Sequence, residues 1–421
     1  MKVLLLNPNR YKSPPVPPIG LECIAAGLEQ RGHKAEIIDL CFSEDICKDI
    51  DDAVSSFRPD ISGVTVRNVD SVLYHTNEFF LDGIREIVTR VKSNHGLRVV
   101  IGGSGICTNP QGILEYLDAD FAIAGPGENV ISGLLNEFSS SDHIKKVYPG
   151  KFDNSACLRK FPAIDYKRYC DAGGIAGFET HKGCSSSCVY CLESNSGASF
   201  KKVEHVVSEI RSFVDTGYSH FHLCDSEFNE NLEYSTEFCN ALKKSGLDIK
   251  WAVYMKPDNI NSELFRLLKE TGVYLITLSV DSWLKPASYW SYIEKFISAA
   301  KSFELKIAVD FLTGFPYETE DKLVRCLDIF REIRPDSVGV NTYIRLYRSL
   351  RITDIILEDE KLRDHIVGCT GDETLLRPVF YNHISSENLD RLIGGDALFR
   401  IEGLEKGVNY SRAETPNNRD R

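Results

Sequence analysis

The chain has 421 residues, 43% of them hydrophobic, which is enough for about two or three domains with buried cores. Its formal net charge of -12 argues against nucleic acid or an anionic membrane as a partner, because proteins that bind these polyanions normally present a basic face. The apolar run at the N-terminus is too short for a signal peptide, and no run approaches the ~20 apolar residues that cross a bilayer. We therefore expect a cytoplasmic protein with no nucleic-acid and no membrane partner.

The first 138 residues alternate strand and helix patterns. Helical periodicity is clear over 19–31 and over 73–94. Such an alternation predicts a doubly wound α/β domain, whose ligand site lies at the carboxyl ends of the strands. Short apolar runs, typical of buried parallel strands, occur at 2–7, 35–40, 61–66, 98–102 and 121–124.

Loops rich in glycine and other small residues follow several of the predicted strands in this domain. Glycine lets a backbone approach a ligand closely and leaves amides free to bind phosphate, although an ordinary turn is the alternative for any single loop. A dinucleotide-binding domain is disfavoured, because Asn7-Pro8-Asn9-Arg10 follows the first strand in place of Gly-x-Gly-x-x-Gly. The candidate ligand-binding residues are Thr65, Arg67, Asn68, Gly102, Gly103, Ser104, Gly105, Gly125, Gly127 and Glu128.

A linker is predicted over 139–172, with a turn at 148–150, and a second strand–helix domain over 173–348. This second domain is predicted to be a partial (β/α)6 barrel with its active site at the carboxyl ends of the strands. Residues 349–421 are predicted to form a C-terminal extension, with helices near 352–364 and 386–396 and a disordered end from 411. The predicted barrel strands are 220–224, 250–255, 274–280, 306–312 and 337–341.

The strongest motif is Cys184-Ser-Ser-Ser-Cys188-Val-Tyr190-Cys191. Three thiolates on one loop can ligate three irons of a [4Fe–4S] cluster, which leaves the fourth iron open for S-adenosylmethionine (SAM). A structural zinc site is the alternative, but such a site needs four ligands. His181 is the available fourth ligand, and it lies so close to Cys184 in sequence that the coordination geometry would be strained. The chain has 13 cysteines, and those outside the motif are scattered singly, so we expect reduced thiols in an oxygen-sensitive protein from an anaerobic setting.

Together these motifs resemble class B, cobalamin-dependent radical SAM methyltransferases over about residues 1–350. The resemblance implies that the strand-end loops of the first domain bind cobalamin and that Cys184, Cys188 and Cys191 bind the cluster. No Asp-x-His-x-x-Gly motif supplies a histidine to cobalt, and His75 is predicted to be a helix residue instead. Tyr317 stands where the family's adenine segment has glycine. The residues that the resemblance assigns to SAM are Tyr190, Asp225, Glu227, Ser279, Asp281 and Gly314.

The resemblance implies methylation of an unactivated sp3 carbon through methylcobalamin and a 5′-deoxyadenosyl radical, with an external electron donor. The layout is similar to that of the methanogen enzymes that methylate a glutamine of methyl-coenzyme M reductase, so a peptide or protein substrate is expected. Three alternatives stay open: a cobalamin-containing cyclase or rearrangement enzyme, methylation of a small natural-product precursor, and a non-catalytic metal or B12 carrier. Candidate residues for a peptide groove are Tyr254, Lys256, Trp283, Tyr289 and Trp290.

Overall fold

The protein is described by a computed structural model that covers residues 1–137, 146–152, 159 and 163–404. The first domain is a parallel sheet of six strands in the order β2-β1-β3-β4-β5-β6. The strands are β1 Lys2–Asn7, β2 Lys34–Asp39, β3 Ile61–Thr65, β4 Val99–Gly102, β5 Phe121–Ala124 and β6 Lys146–Pro149. The helices are α1 Ile19–Gln30, α2 Ile46–Phe57, α3 Leu81–His95, α4 Pro110–Tyr116 and α5 Val130–Glu137.

Helices cover both faces of this sheet, as the alternating sequence pattern predicts. One core lies under α1 and α5, and the other lies under α2, α3 and α4. The doubly wound α/β architecture is therefore confirmed. The sixth strand, β6, was not expected, because its four residues fall in the predicted linker; they pair with β5, and Pro149 is tolerated at this sheet edge.

The helix predicted over 73–94 is wrong at its start, because α3 begins only at Leu81. Residues 70 and 79 instead form an isolated antiparallel bridge that closes a loop. The Asp70 carboxylate accepts hydrogen bonds from the backbone N–H of Val72 at 2.7 Å and from the Asn77 amide at 3.2 Å. Such local bonds compete with helix formation. His75 consequently lies in this loop and not in a helix, and its N–H donates to the Leu404 carbonyl.

The second domain is a sheet of seven parallel strands in the order β18-β14-β13-β12-β11-β10-β7. Its strands are β7 Ala176–Phe178, β10 His220–Leu223, β11 Lys250–Met255, β12 Val273–Asp281, β13 Ile307–Leu312, β14 Ser337–Asn341 and β18 Phe399–Ile401. Helices follow the strands in turn: α7 Val203–Val214, α8 Leu232–Ser245, α9 Ser262–Glu270, α10 Ala287–Ser302 and α11 Glu320–Ile333. The predicted partial barrel is confirmed, and β18 adds a strand that the sequence pattern did not reveal.

The remaining elements frame this barrel. A hairpin of β8 His181–Lys182 and β9 Ser199–Phe200 follows β7, and α6 Tyr166–Asp171 precedes the barrel in sequence. A small antiparallel sheet in the order β15-β17-β16 joins the end of the barrel domain, which supplies β15 Tyr343–Arg345, to the C-terminal extension. The elements of the extension are α12 Arg351–Glu358, α13 Glu360–Arg363, β16 Ile366–Val367, β17 Phe380–Asn382 and α14 Ser386–Ile393. The end predicted to be disordered, 411–421, lies outside the described residues.

Strand alternation separates the barrel core from its lumen. On β12, Ile276, Leu278 and Val280 pack into the main core under the helices. Because successive side chains point to opposite faces, Ser279 and Asp281 face inward near the carboxyl end. No helix in the described part of the chain is long and apolar enough to span a membrane.

Candidate active site

The cysteine loop is closed by its own hydrogen bonds. The β8–β9 pairing joins its two ends, and the Gly197 N–H donates to the Cys184 carbonyl at 3.3 Å. The Ser186 N–H points at Cys184 Sγ at 3.4 Å, a donor that would stabilise a ligating thiolate. Burial raises the pKa of the Cys184 thiol to about 11, so a thiolate there needs a compensating cation such as iron. Within the described residues, no three His, Cys, Asp or Glu side chains are grouped to hold a single metal ion.

Asp225 lies beneath this loop and is occupied by protein donors. Its carboxylate accepts from the Thr180 N–H at 2.7 Å, the His181 N–H at 3.3 Å and the Thr180 hydroxyl. His181 Nδ1 lies 3.1 Å from the same carboxylate, and both side chains are fully buried. Asp225 thus fixes the chain entering the cluster loop, and its predicted contact with SAM stays a prediction with few lone pairs left to make it.

Glu227, by contrast, has a free oxygen in the lumen. Burial raises the pKa of its carboxyl to about 8, and a hydrogen bond from Ser279 opposes that shift. Among the described residues, Glu227 Oε2 has no hydrogen-bond partner. A carboxyl in this setting suits a ligand ammonium, which would supply both a donor and the missing charge. The fold therefore brings the predicted residues Glu227 and Ser279 together.

Tyr190 and Asp281 also meet. The Tyr190 hydroxyl donates to Asp281 Oδ2 at 3.0 Å, and Lys285 Nζ lies 2.8 Å from the same oxygen. The Trp283 N–H donates to the other Asp281 oxygen at 2.9 Å. Lys285 was not singled out from the sequence, although its position four residues after Asp281 was a usable signal.

The segment predicted to lie near adenine is held by a buried glutamate that sequence reasoning missed. Glu318 Oε2 accepts from the Thr313 hydroxyl, the Gly314 N–H and the Phe315 N–H at 2.8, 2.6 and 3.1 Å. Gly314 has φ +78°, and a Cβ there would lie 2.9 Å from the Thr342 carbonyl oxygen. Tyr317 also adopts a left-handed conformation, φ 61°, in the place where the family pattern has glycine.

In the first domain, the end of β4 and the loop after it contain three glycines with different surroundings. A Cβ on Gly103, at φ +106°, would lie 2.6 Å from the Val66 carbonyl oxygen and 2.8 Å from Thr65 Oγ1. A Cβ on Gly105 would lie 2.9 Å from the same carbonyl oxygen, whereas one on Gly102 would meet nothing within 4 Å. Gly103 and Gly105 therefore allow close loop packing, and Gly102 borders the open space that a bound cofactor tail needs.

The neighbouring candidates complete this edge of the sheet. The Ser104 hydroxyl donates to the Arg67 carbonyl at 2.7 Å, which ties the loops after β3 and β4 together. Asn68 is exposed on the loop after β3. A Cβ on Gly125, φ +99°, would pack on the backbone of residue 150, and one on Gly127 would press on Ile24 at 3.1 Å.

Glu128 is part of the domain boundary. It is 6% exposed and lies 3.3 Å from Lys182 of the hairpin that carries the cluster loop. Lys182 also lies 3.5 Å from Glu179, and Lys201 lies 3.3 Å from that second carboxylate. Glu128 therefore ties the first domain to the barrel, and its predicted contact with cobalamin stays a prediction.

The two groups of loops face each other across this boundary. Burial raises the pKa of Cys107, in the loop after β4, and the charge of Glu193, two residues after Cys191, raises it further. Glu193 in turn accepts a hydrogen bond from Ser226, beside Glu227. Loops at the carboxyl ends of the two sheets therefore lie near each other.

The similarity of this chain to known protein families agrees with this architecture. Residues 13–135 match the B12 binding domain model, and residues 178–330 match the radical SAM superfamily model. The two sheets with their facing loops are therefore a B12-binding domain and a radical SAM domain. The chain belongs to the cobalamin-dependent radical SAM methyltransferases, with cobalamin, a [4Fe–4S] cluster and SAM as its cofactors.

Two relatives and two solved structures illustrate the similarity. The tryptophan 2-C-methyltransferase of Streptomyces laurentii is 25% identical over 82% of this chain and 72% of its own length. An uncharacterized methyltransferase of Pyrococcus horikoshii is 22% identical over 93% and 91%. The methyltransferase TsrM from Kitasatospora setae, solved with cobalamin and a [4Fe–4S] cluster, superposes with a TM-score of 0.82 at 21% identity over 95% of this chain and 93% of TsrM. The cobalamin-dependent radical enzyme OxsB gives 0.72 at 14% identity over 93% of this chain and 66% of OxsB.

Proposed function

We propose that this chain is a C-methyltransferase that acts on a small polar molecule held between its two domains. The observation that carries the proposal is the proximity of the two sets of loops. Glu128, after β5, lies 3.3 Å from Lys182 of the hairpin that carries the cluster loop, and the charge of Glu193 in that loop acts on Cys107 after β4. Bound there, cobalamin would supply the methyl group, and the cluster with SAM would supply the radical that activates an sp3 carbon. The protein binds and orients these groups and keeps water out.

Three features fit the cofactors. The cysteine loop offers a backbone N–H to a thiolate at Cys184. Glu227 offers an unpaired carboxyl oxygen to the SAM ammonium. Gly102 borders open space at the carboxyl end of β4, where an extended cofactor tail would lie. These features support the assignment of Cys184, Cys188 and Cys191 to the cluster and of the β3, β4 and β5 loops to cobalamin.

The barrel suits a small substrate better than it suits a peptide. Tyr289 and Trp290 pack against the main core, and Trp283 packs 5.4 Å from Phe315. Lys256 is paired with Glu230 at 3.1 Å. All five expected groove residues are half-buried, and of the five only Tyr254 lies at an inward-facing strand position. The C-terminal extension also reaches the cluster loop, since the Ile352 N–H donates to the Val189 carbonyl at 3.0 Å.

The test is an anaerobic reaction of the reconstituted holoenzyme with SAM, a strong reductant and small polar candidate substrates that carry sp3 carbons, with tryptophan among them because a relative acts on it. Mass spectrometry quantifies 5′-deoxyadenosine and S-adenosylhomocysteine. Both products, with the second dependent on cobalamin, are expected for methylation of an sp3 carbon. S-adenosylhomocysteine alone would indicate methyl transfer without hydrogen abstraction, and 5′-deoxyadenosine alone would indicate a radical enzyme that does not methylate. Methylation of peptides but of no small molecule would refute the proposed substrate class.

The cluster assignment has a separate test that needs no substrate. Cys184→Ala, Cys188→Ala and Cys191→Ala are each expected to lose the iron–sulfur absorbance after reconstitution. Cys239→Ala is the matched control, because Cys239 lies on α8 with its side chain buried in the main core. A full cluster in all three motif variants would contradict the assignment.

A further inference from the structure

The Tyr190 contact places a charged pair beside the cluster loop. Asp281 and Lys285 lie at the carboxyl end of β12, and the Tyr190 hydroxyl is bonded to the carboxylate. Asp281 is 6% exposed at its side chain, so its charge is poorly screened by water. Lys285 lies at 2.8 Å and also stands 4.7 Å over the Tyr289 ring, which limits its freedom to move away.

Tyr190 connects this pair to the cluster ligands. It lies between Cys188 and Cys191 in the loop, and its hydroxyl donates to Asp281 at 3.0 Å. A charge held against this loop therefore acts on the cluster that the loop ligates. Net charge and hydrogen bonds near the sulfurs are known determinants of cluster reduction potentials.

We propose that Asp281 and Lys285 are positioning residues that hold Tyr190 and, as a charge-compensated pair beside the cluster loop, set the reduction potential of the cluster. Reduction adds one electron from the external donor to the cluster. A negative charge nearby opposes that step, and a positive charge favours it. The carboxylate that anchors the loop would therefore make the cluster harder to reduce, and Lys285 cancels this effect. The proposal rests on the cluster assignment and not on the methyl-transfer step.

The test is a redox titration of the reconstituted holoenzyme without substrate, followed by electron paramagnetic resonance, with iron counted per chain. Asp281→Asn leaves the lysine uncompensated and is expected to shift the midpoint to a higher potential. Lys285→Met leaves the carboxylate uncompensated and is expected to shift it to a lower potential. The double variant is expected near wild type. Tyr190→Phe keeps both charges and is expected to shift the midpoint less than either single charge change.

The matched control is Lys243→Met, which removes an equal charge from an exposed pair with Glu270 on the outer helices. Lys285 is a partly exposed side chain, so its variant is informative even if Asp281→Asn fails to assemble a cluster. Equal shifts for Lys243→Met and Lys285→Met would overturn the proposal, as would shifts of the same sign for the two charge changes or a largest shift in Tyr190→Phe. None of these outcomes depends on whether methyl transfer occurs.

Discussion

Asp225 and Glu227 lie two positions apart after β10, and the fold gives them different surroundings. Asp225 accepts hydrogen bonds from Thr180 and His181, whereas Glu227 keeps an oxygen that no described residue bonds. The family resemblance assigned both residues to SAM, because acidic residues at a strand end were all that the sequence could reveal. Which carboxylate is already occupied depends on long-range contacts that no local pattern encodes.

We expect Glu227→Gln to weaken SAM binding by roughly 10- to 100-fold. A hydrogen bond to a charged group contributes about 1.5–3 kcal/mol, and the amide keeps the shape of the side chain while losing the charge. Calorimetric titration of the cluster-loaded enzyme with SAM measures the effect. Glu233→Gln, a change at an exposed residue on the first turn of α8, is the control. Equal affinities of Glu227→Gln and the wild type would remove Glu227 from the SAM site.

The His181–Asp225 contact predicts a pH dependence of stability. Burial lowers the pKa of His181, but the hydrogen bond and the charge of Asp225 outweigh it and raise the pKa above the ordinary 6.5. The protonated pair therefore contributes stability that is fully present below pH 6.5 and is lost as the pH rises through the folded-state pKa. Urea unfolding at pH values on both sides of 6.5 is expected to show that the free energy of unfolding falls as the pH rises. His181→Asn is expected to abolish this part of the pH dependence. An unchanged slope in the variant would show that another group titrates.

At the scale of elements, strands were predicted well and their loops less well. The runs at 2–7, 250–255 and 337–341 are strands with those bounds, because buried parallel strands are continuous apolar runs. The helix predicted from residue 73 failed, because Asp70 binds its own loop and Arg345 at once. The strand β18 has only three residues and pairs with β14 across a long stretch of sequence, so no local pattern could reveal it.

The loop after β4 gives a prediction about glycine. Gly102→Leu is expected to reduce cobalamin binding with little loss of stability, since a side chain there enters open space at the strand end. Gly103→Ala is expected to destabilise the domain itself, because its φ of +106° and its contact with the Val66 carbonyl leave no room for a Cβ. Cobalamin absorbance after reconstitution, together with thermal unfolding of the apoprotein, separates the two effects.

A control is available in the same domain. A Cβ on Gly133 of α5 would likewise meet nothing within 4 Å, but this residue lies away from the strand ends. Gly133→Leu should therefore retain cobalamin. Full cobalamin binding by Gly102→Leu would contradict the placement of the cofactor tail beside β4.

At the scale of the whole molecule, buried ion pairs join the two domains. Arg345 of β15, at the end of the barrel domain, lies 2.9 Å from Asp70 of the first domain, and their side chains are 3% and 0% exposed. Arg345 also donates to the carbonyls of Leu375 and Leu376 at 3.3 and 3.0 Å. Glu22 and Arg159 form a second buried pair at 2.9 Å between α1 and the segment before the barrel. The contact between the two domains thus depends on charges that only the assembled chain brings together, which is why the sequence alone did not reveal these pairs.

Arg345→Met is expected to destabilise the protein by about 3–5 kcal/mol, because it leaves the buried Asp70 carboxylate without its cation. All three tryptophans, Trp251, Trp283 and Trp290, lie in the barrel, so their fluorescence follows barrel unfolding while circular dichroism follows both domains. The two signals should coincide in the wild type and separate in the variant, as the first domain comes to unfold independently. Adding Asp70→Asn removes the orphaned charge and should recover part of the loss, so a double variant no more stable than Arg345→Met would show that the ion pair is not what couples the domains.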